Sequence, residues 1–175
     1  MKVLSSLLVL LGQDPNTVTD LENFLGGLVM GLIQKDDLAY IMLCLKDGES
    51  LEKNMDAAIA DFEKGDTQGI IDGIEQIGVI LQALPQDLGD CKEMQSDLDR
   101  IEKWAQIFQD PTELVKTVTA NVLKHHKAIM QDISDSERDF NDKQFYPAGK
   151  DVADILVQAL GPVPKMPEDL EITQW

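Results

Sequence analysis

Apolar residues recur three and four positions apart along nearly the whole chain, and turn-forming residues break that pattern at intervals that define helices. Thr19 and Glu22 have capping-box spacing, hydroxyl and carboxylate each taking a free amide at a helix start, and predict a helix to about Gln34. Asp36 is placed to cap the next, with Leu38, Ile41, Cys44 and Leu45 on one side and Gly48 at its end. Ser50 opens a third helix through Leu51, Met55, Ala58, Ile59 and Phe62 to Gly65. Asp66 starts a fourth, with Ile70, Ile74, Ile77, Leu81 and Leu84 inward until Pro85 stops it.

From Leu88 a fifth helix is predicted, with Cys91, Met94, Leu98, Ile101, Ala105 and Phe108 alternating three and four apart as in a coiled-coil seam. Asp110, Pro111 and Glu113 combine cap, first-turn proline and capping box, and open a sixth helix through Leu114, Val115, Val118, Val122, Ile129, Met130 and Ile133. Ser134 and Glu137 predict a restart. A last helix runs from near Pro147 to Leu160 with Val152, Ile155, Leu156 and Leu160 inward. No period-two run stands out, so the expected fold is all-α: a single-domain bundle of about six to seven helices over residues 17–160. Residues 61–84 and 139–160 echo one another: each begins Asp-Phe, turns, and ends in a helix closing on Gln-Ala-Leu. This suggests two pseudo-repeated halves.

Beyond Leu160, Pro162, Pro164 and Pro167 forbid further helix, and residues 161–175 read as an extended C-terminal arm. Met166, Leu170, Ile172 and Trp175 are costly to leave in water. They make the arm a candidate assembly device that seats apolar anchors on a second copy, giving a homo-oligomer or a filament. The bland alternative is a frayed end.

The composition narrows the partners. The chain has 175 residues and is 43% hydrophobic, enough for one core. Against 15 Lys plus Arg stand 32 Asp plus Glu, a net charge of −17. Such a surface repels phosphate backbones and anionic lipid heads, so nucleic acid is a poor partner. It favours solubility and allows weak surface calcium binding. The opening run has Lys2, apolar Val3 to Leu11, and Gly12, the outline of a secretory signal over residues 1–12. It is short, with bulky Leu10 three positions before the cleavage point, and the alternative is an apolar arm packed on the bundle. Neither this run nor Phe24–Ile33 has the ~20 apolar residues of a spanning helix, so no transmembrane segment is expected. Cys44 and Cys91 are an even pair in a chain with a candidate signal, which favours one disulfide over two buried thiols.

Little in the sequence points to catalysis. Gly27 and Gly31 lie four apart, on one helical face, and predict close helix packing. His125 and His126 point about 100° apart on a helix and cannot readily share a metal. Counted as an EF-hand loop from Asp132, the sixth position is Glu137 and the twelfth Lys143, where Gly and Glu are needed. Nucleophile elbow, H-E-x-x-H and Cys-x-x-Cys are lacking. No catalytic, cofactor-binding or metal residue is therefore expected, and no cofactor.

The pattern Asp20-x₃-Phe24-x₂-Gly27-x₃-Gly31, then Cys44-Leu-Lys-Asp47, Cys91 and Gly149-Lys-Asp-Val-Ala-Asp-Ile-Leu156 resembles a large group of small secreted two-cysteine helical proteins of ciliates. The resemblance covers about residues 20–160. It implies a helical fold and export to the secretory lumen or outside, and carries over no activity or functional residue. The expected function is that of a non-enzymatic secreted or lumenal protein acting by surface contact or self-assembly, with a carrier of a small apolar ligand as the alternative.

Overall fold

The computed structural model describes residues 15–46 and 48–165. Among these described residues seven α-helices make up one all-α domain: α1 (Pro15–Ile33), α2 (Leu38–Cys44), α3 (Glu49–Glu63), α4 (Thr67–Asp87), α5 (Gln95–Trp104), α6 (Pro111–Asn141) and α7 (Phe145–Leu160). Short 3₁₀ turns at Lys92–Met94 and Ala105–Gln109 flank α5.

Two helical hairpins frame the body. In α3–α4 the chain turns through Gly65 at φ 70°, and in α6–α7 through Lys143 at φ 60°, both left-handed. Asp61-Phe62 and Asp139-Phe140 stand just before these turns, at equivalent points of the sequence echo. Helix α1 lies along α7, and its Leu21, Phe24, Leu25 and Leu28 are fully buried in the core that also holds Ile155 and Leu156 of α7.

Several predicted boundaries move. Helix α1 begins at Pro15, not after Thr19, because proline at the first helical position loses no hydrogen bond. Pro85 does not stop α4, which runs on to Asp87. Leu84 and Leu88 on either side of it are both fully buried, and that burial offsets the missing amide. The predicted fifth helix is broken into a 3₁₀ turn, α5 and a second 3₁₀ turn, although Cys91, Met94, Leu98, Ile101 and Ala105 all face the core as the spacing requires. A three–four alternation is compatible with either helix type, so it reports facing and not continuity. Ser134 and Glu137 do not restart the chain: α6 passes both without a break and ends at Asn141, and the buried Ser136 hydroxyl donates to the Ile133 carbonyl at 2.8 Å. The real interruption is at His125 (φ −114°, ψ 22°). Here the inward stripe jumps from Val122 to Ile129, and residues 123–128 between them are all exposed.

Gly27 and Gly149 mark a close backbone-to-backbone approach of α1 and α7. A Cβ on Gly27 would overlap the Tyr146 carbonyl oxygen and sit 3.0 Å from the Lys150 nitrogen; one on Gly149 would overlap the Phe24 carbonyl oxygen and sit 2.8 Å from the Leu28 nitrogen. Backbone meets backbone, so neither side can yield by changing rotamer. One turn on, Gly31 packs on the Ala153 methyl. Gly27→Ala should lower stability by about 3 kcal/mol, and Gly31→Leu by about 1–3 kcal/mol, despite better helix propensity. Urea midpoints at or above the parent's would show this face to be free.

Candidate functional site

The short helix α2 is fastened at both ends, and its fastenings gather the least ordinary chemistry of the described residues. At its C-terminal end Cys44 is joined to Cys91 in a disulfide, Cα to Cα 5.7 Å, across 47 residues of sequence. Beside it the Lys46 amide donates to the Asp87 carbonyl at 3.3 Å, and the Lys46 ammonium pairs with Asp90 at 2.6 Å. The bridge ties the last residue of α2 to the turn between α4 and α5.

At the N-terminal end two aspartates divide the work. The N-cap position falls on Asp37 and not on Asp36, which stands one residue earlier and accepts from the Leu38 amide at 3.2 Å. Asp37 is fully buried, and neither of its carboxyl oxygens accepts a hydrogen bond. Its neighbours are Asp97 of α5, 5% exposed, and the Lys35 ammonium, which donates to Asp97 at 2.7 Å and stands 3.5 Å from Asp37. Two buried carboxyls thus share one cation. Burial first, and the Asp97 carboxyl second, push Asp37 up to about 6 in spite of Lys35. Lys35 is itself raised, chiefly by its bond to Asp97.

A second carboxyl pair lies between the helices of the second hairpin. Burial, followed by the Asp139 carboxyl of α6, raises Asp151 of α7 to about 7, and its Oδ2 has no hydrogen-bond partner. Asp132, which accepts from Gln158, and Asp154 are also raised, both mainly by burial. Among the described residues no group of three or more His, Cys, Asp or Glu is placed to hold a metal ion.

Gly27 and Gly31 lie on the α1–α7 contact, away from this chemistry. Residues 161–165 fold back along α5: the Trp104 indole donates to the Gly161 carbonyl at 3.1 Å, the Arg100 Nε to the Pro164 carbonyl at 3.1 Å, and Val163 is buried. The start of the predicted arm is therefore held on its own body. Met166, Leu170, Ile172 and Trp175, like the candidate signal at 1–12, lie outside the described residues. A cleft of about 300 Å³, open to solvent, is lined by Asn23, Lys143, Gln144, Phe145, Tyr146 and Pro147. No helix among the described residues is long and apolar enough to cross a membrane.

Sequence reasoning passed over both carboxyl pairs because acidic residues are abundant. The available signal was position: Asp97 is three after Met94 and four before Ile101, and Asp151 three after Ala148 and four before Ile155, so each carboxyl sits on an inward apolar stripe.

Asp151 binds its proton more tightly folded than unfolded. The stability this brings is present in mildly acidic solution and is lost as pH rises through about 7. Asp151→Asn should therefore be more stable than the parent at pH 8 and show a flatter profile between pH 5 and pH 8; a steeper profile would reverse the assignment. Opening the disulfide by Cys44→Ser with Cys91→Ser should cost about 4 kcal/mol for a loop of this size. Quantitative alkylation of both thiols in the native protein without reductant would show that the bridge does not form.

Residues 5–160 match the SctB-like family, described as secreted protein B-like, and the chain belongs to that family. No curated protein and no solved structure matches it.

Proposed function

We propose that this member of the secreted protein B-like family is a non-enzymatic protein, secreted or held in the secretory lumen, that acts by surface contact or self-assembly. The observation that carries the reading is α2. Leu43 is 82% exposed and Met42 48%, with Tyr40 and Ala39 also at the surface, on a helix whose ends are anchored to the body. Large apolar side chains gathered on a rigid support are the usual basis of a protein contact, because little ordering cost remains to be met on binding. A second copy of the chain is the first partner to test. The family supports export; the choice between lumen and exterior, and the narrower kinship with two-cysteine proteins of ciliates, belong to the same proposal.

The alternative is a carrier of a small apolar ligand. The cleft at the α6–α7 turn offers it limited support, since Asn23, Lys143 and Gln144 share its lining with the aromatic rings and it is not enclosed.

Light scattering on the purified full chain is expected to show a species heavier than the monomer. Leu43→Glu should shift it back toward the monomer, and truncation after Lys165 tests the share of residues 166–175. A monomer at every concentration would remove self-assembly and leave contact with a different protein. Native mass spectrometry of the secreted protein is expected to show the bare polypeptide, oxidised by two hydrogens; a persistent small-molecule adduct would favour the carrier.

A further inference from the structure

We propose that α2 is tethered at one end by the disulfide and at the other by a proton held on the buried Asp37 beside Asp97, so that mildly acidic surroundings close it onto the body and neutral ones loosen it. Inside the cluster there are two carboxyls, 0% and 5% exposed, and one cation. With both carboxyls ionised, one negative charge is left without a counterion in a place water does not reach, and that state is costly. With one proton bound at Asp37, Lys35 and Asp97 form a neutral pair, and the Asp37 O–H can donate to the Asp97 carboxylate.

The other groups nearby do not relieve the excess charge. Asp36 is turned to the Leu38 amide and the Tyr146 phenol of α7. Arg100, a turn beyond Asp97 on α5, donates to the Pro164 carbonyl. Helix α2 itself carries no charged side chain. Asp37 stands at the N-cap position of α2 but its side chain makes no bond to the helix amides, so the terminus offers the ionised form only the dipole of a seven-residue helix.

The consequences differ at the two ends. Cys44 stays joined to Cys91 at any of these pH values, so ionisation of Asp37 frees the first turn of α2 and not the last. The helix swings on a covalent hinge, carrying Tyr40, Met42 and Leu43 with it. This deepens the reading of α2 as a contact face and rests on it for its biological meaning: a secreted protein held closed in an acidic lumen would present α2 differently once outside.

The sign follows from linkage. Asp37 titrates at about 6 when α2 is closed and at the ordinary 3.8 when it is open and solvated, so closure is favoured below about pH 6 and lost as pH rises through it. Those two values make opening about tenfold more favourable at pH 7.5 than at pH 5. Hydrogen exchange of the α2 amides, corrected for intrinsic rates, reads this directly: protection should fall about tenfold over that range in the parent. In Asp37→Asn, which is neutral throughout, protection should stay at the acidic-pH level. Lys35→Met, altering a half-exposed side chain, should move the midpoint upward by removing the shared cation, and so provides a second reading if Asp37→Asn folds poorly. Protection of α2 that is equal at the two pH values in the parent overturns the clasp. So does a parent-like profile in Asp37→Asn, or an unmoved midpoint in Lys35→Met. The exchange measurement needs no partner: failure of the clasp leaves the contact face standing, and failure of Leu43→Glu to alter association removes the contact face and leaves the clasp.

Discussion

The closest approach of α1 to α7, glycine backbone against backbone at Gly27 and Gly149, is the constraint on which the rest of the body depends. Most helix pairs keep their axes apart by the width of two side chains. Here the side chains are missing on both helices at the crossing, so the Phe24 and Tyr146 carbonyls come up against the partner backbone. The approach draws the first described helix onto the last one and closes the bundle. Each glycine in a helix interior costs about 1 kcal/mol in propensity. The dispersion and burial gained by Phe24, Leu25, Leu28, Ala153 and Leu156 around the crossing offset that cost.

With the crossing in place, the pieces that could not hold themselves are fastened to it. Seven residues are too few for α2 to be stable alone. It is retained by Ile41 in the core, by the disulfide, and by the carboxyl cluster at its start. The extended segment 161–165 has no internal hydrogen bonds, and its carbonyls are met by Trp104 and Arg100. Each fastening joins elements far apart in the chain, which is why these segments keep a place on a body whose net charge of −17 favours expansion.

The same charge gives the buried carboxyls their meaning. A surface carboxylate among many others is screened by water and salt and does little. Asp37, fully buried, and Asp151, half-buried, are different because desolvation beside another carboxyl favours a bound proton over a second negative charge. The protein therefore combines a solubilising acidic exterior with two internal points at which acidity is stabilising. For a member of a family of secreted proteins, the pH of the compartment becomes part of the folding problem.

The sequence by itself determined the helices and their inward faces, because a 3.6-residue period and well-chosen caps act locally: Asp66 accepting from Gly69 and Asp110 from Glu113 are where the residue types place them. It also marked Gly27 and Gly31 as a close-packing face and left Cys44 and Cys91 as a natural pair. What those faces would meet was settled only in three dimensions. That Gly149 answers Gly27, that Pro85 is carried inside α4 by Leu84 and Leu88, and that α6 runs unbroken past Ser134 all depend on burial supplied by other elements. Asp97 and Asp151 stood on apolar stripes in plain view. Yet an inward carboxyl becomes a proton site only when a second one, from a helix distant in sequence or across a turn, is packed beside it out of reach of water. Tertiary structure alone decides that, because the interaction exists only where two elements exclude the solvent between them.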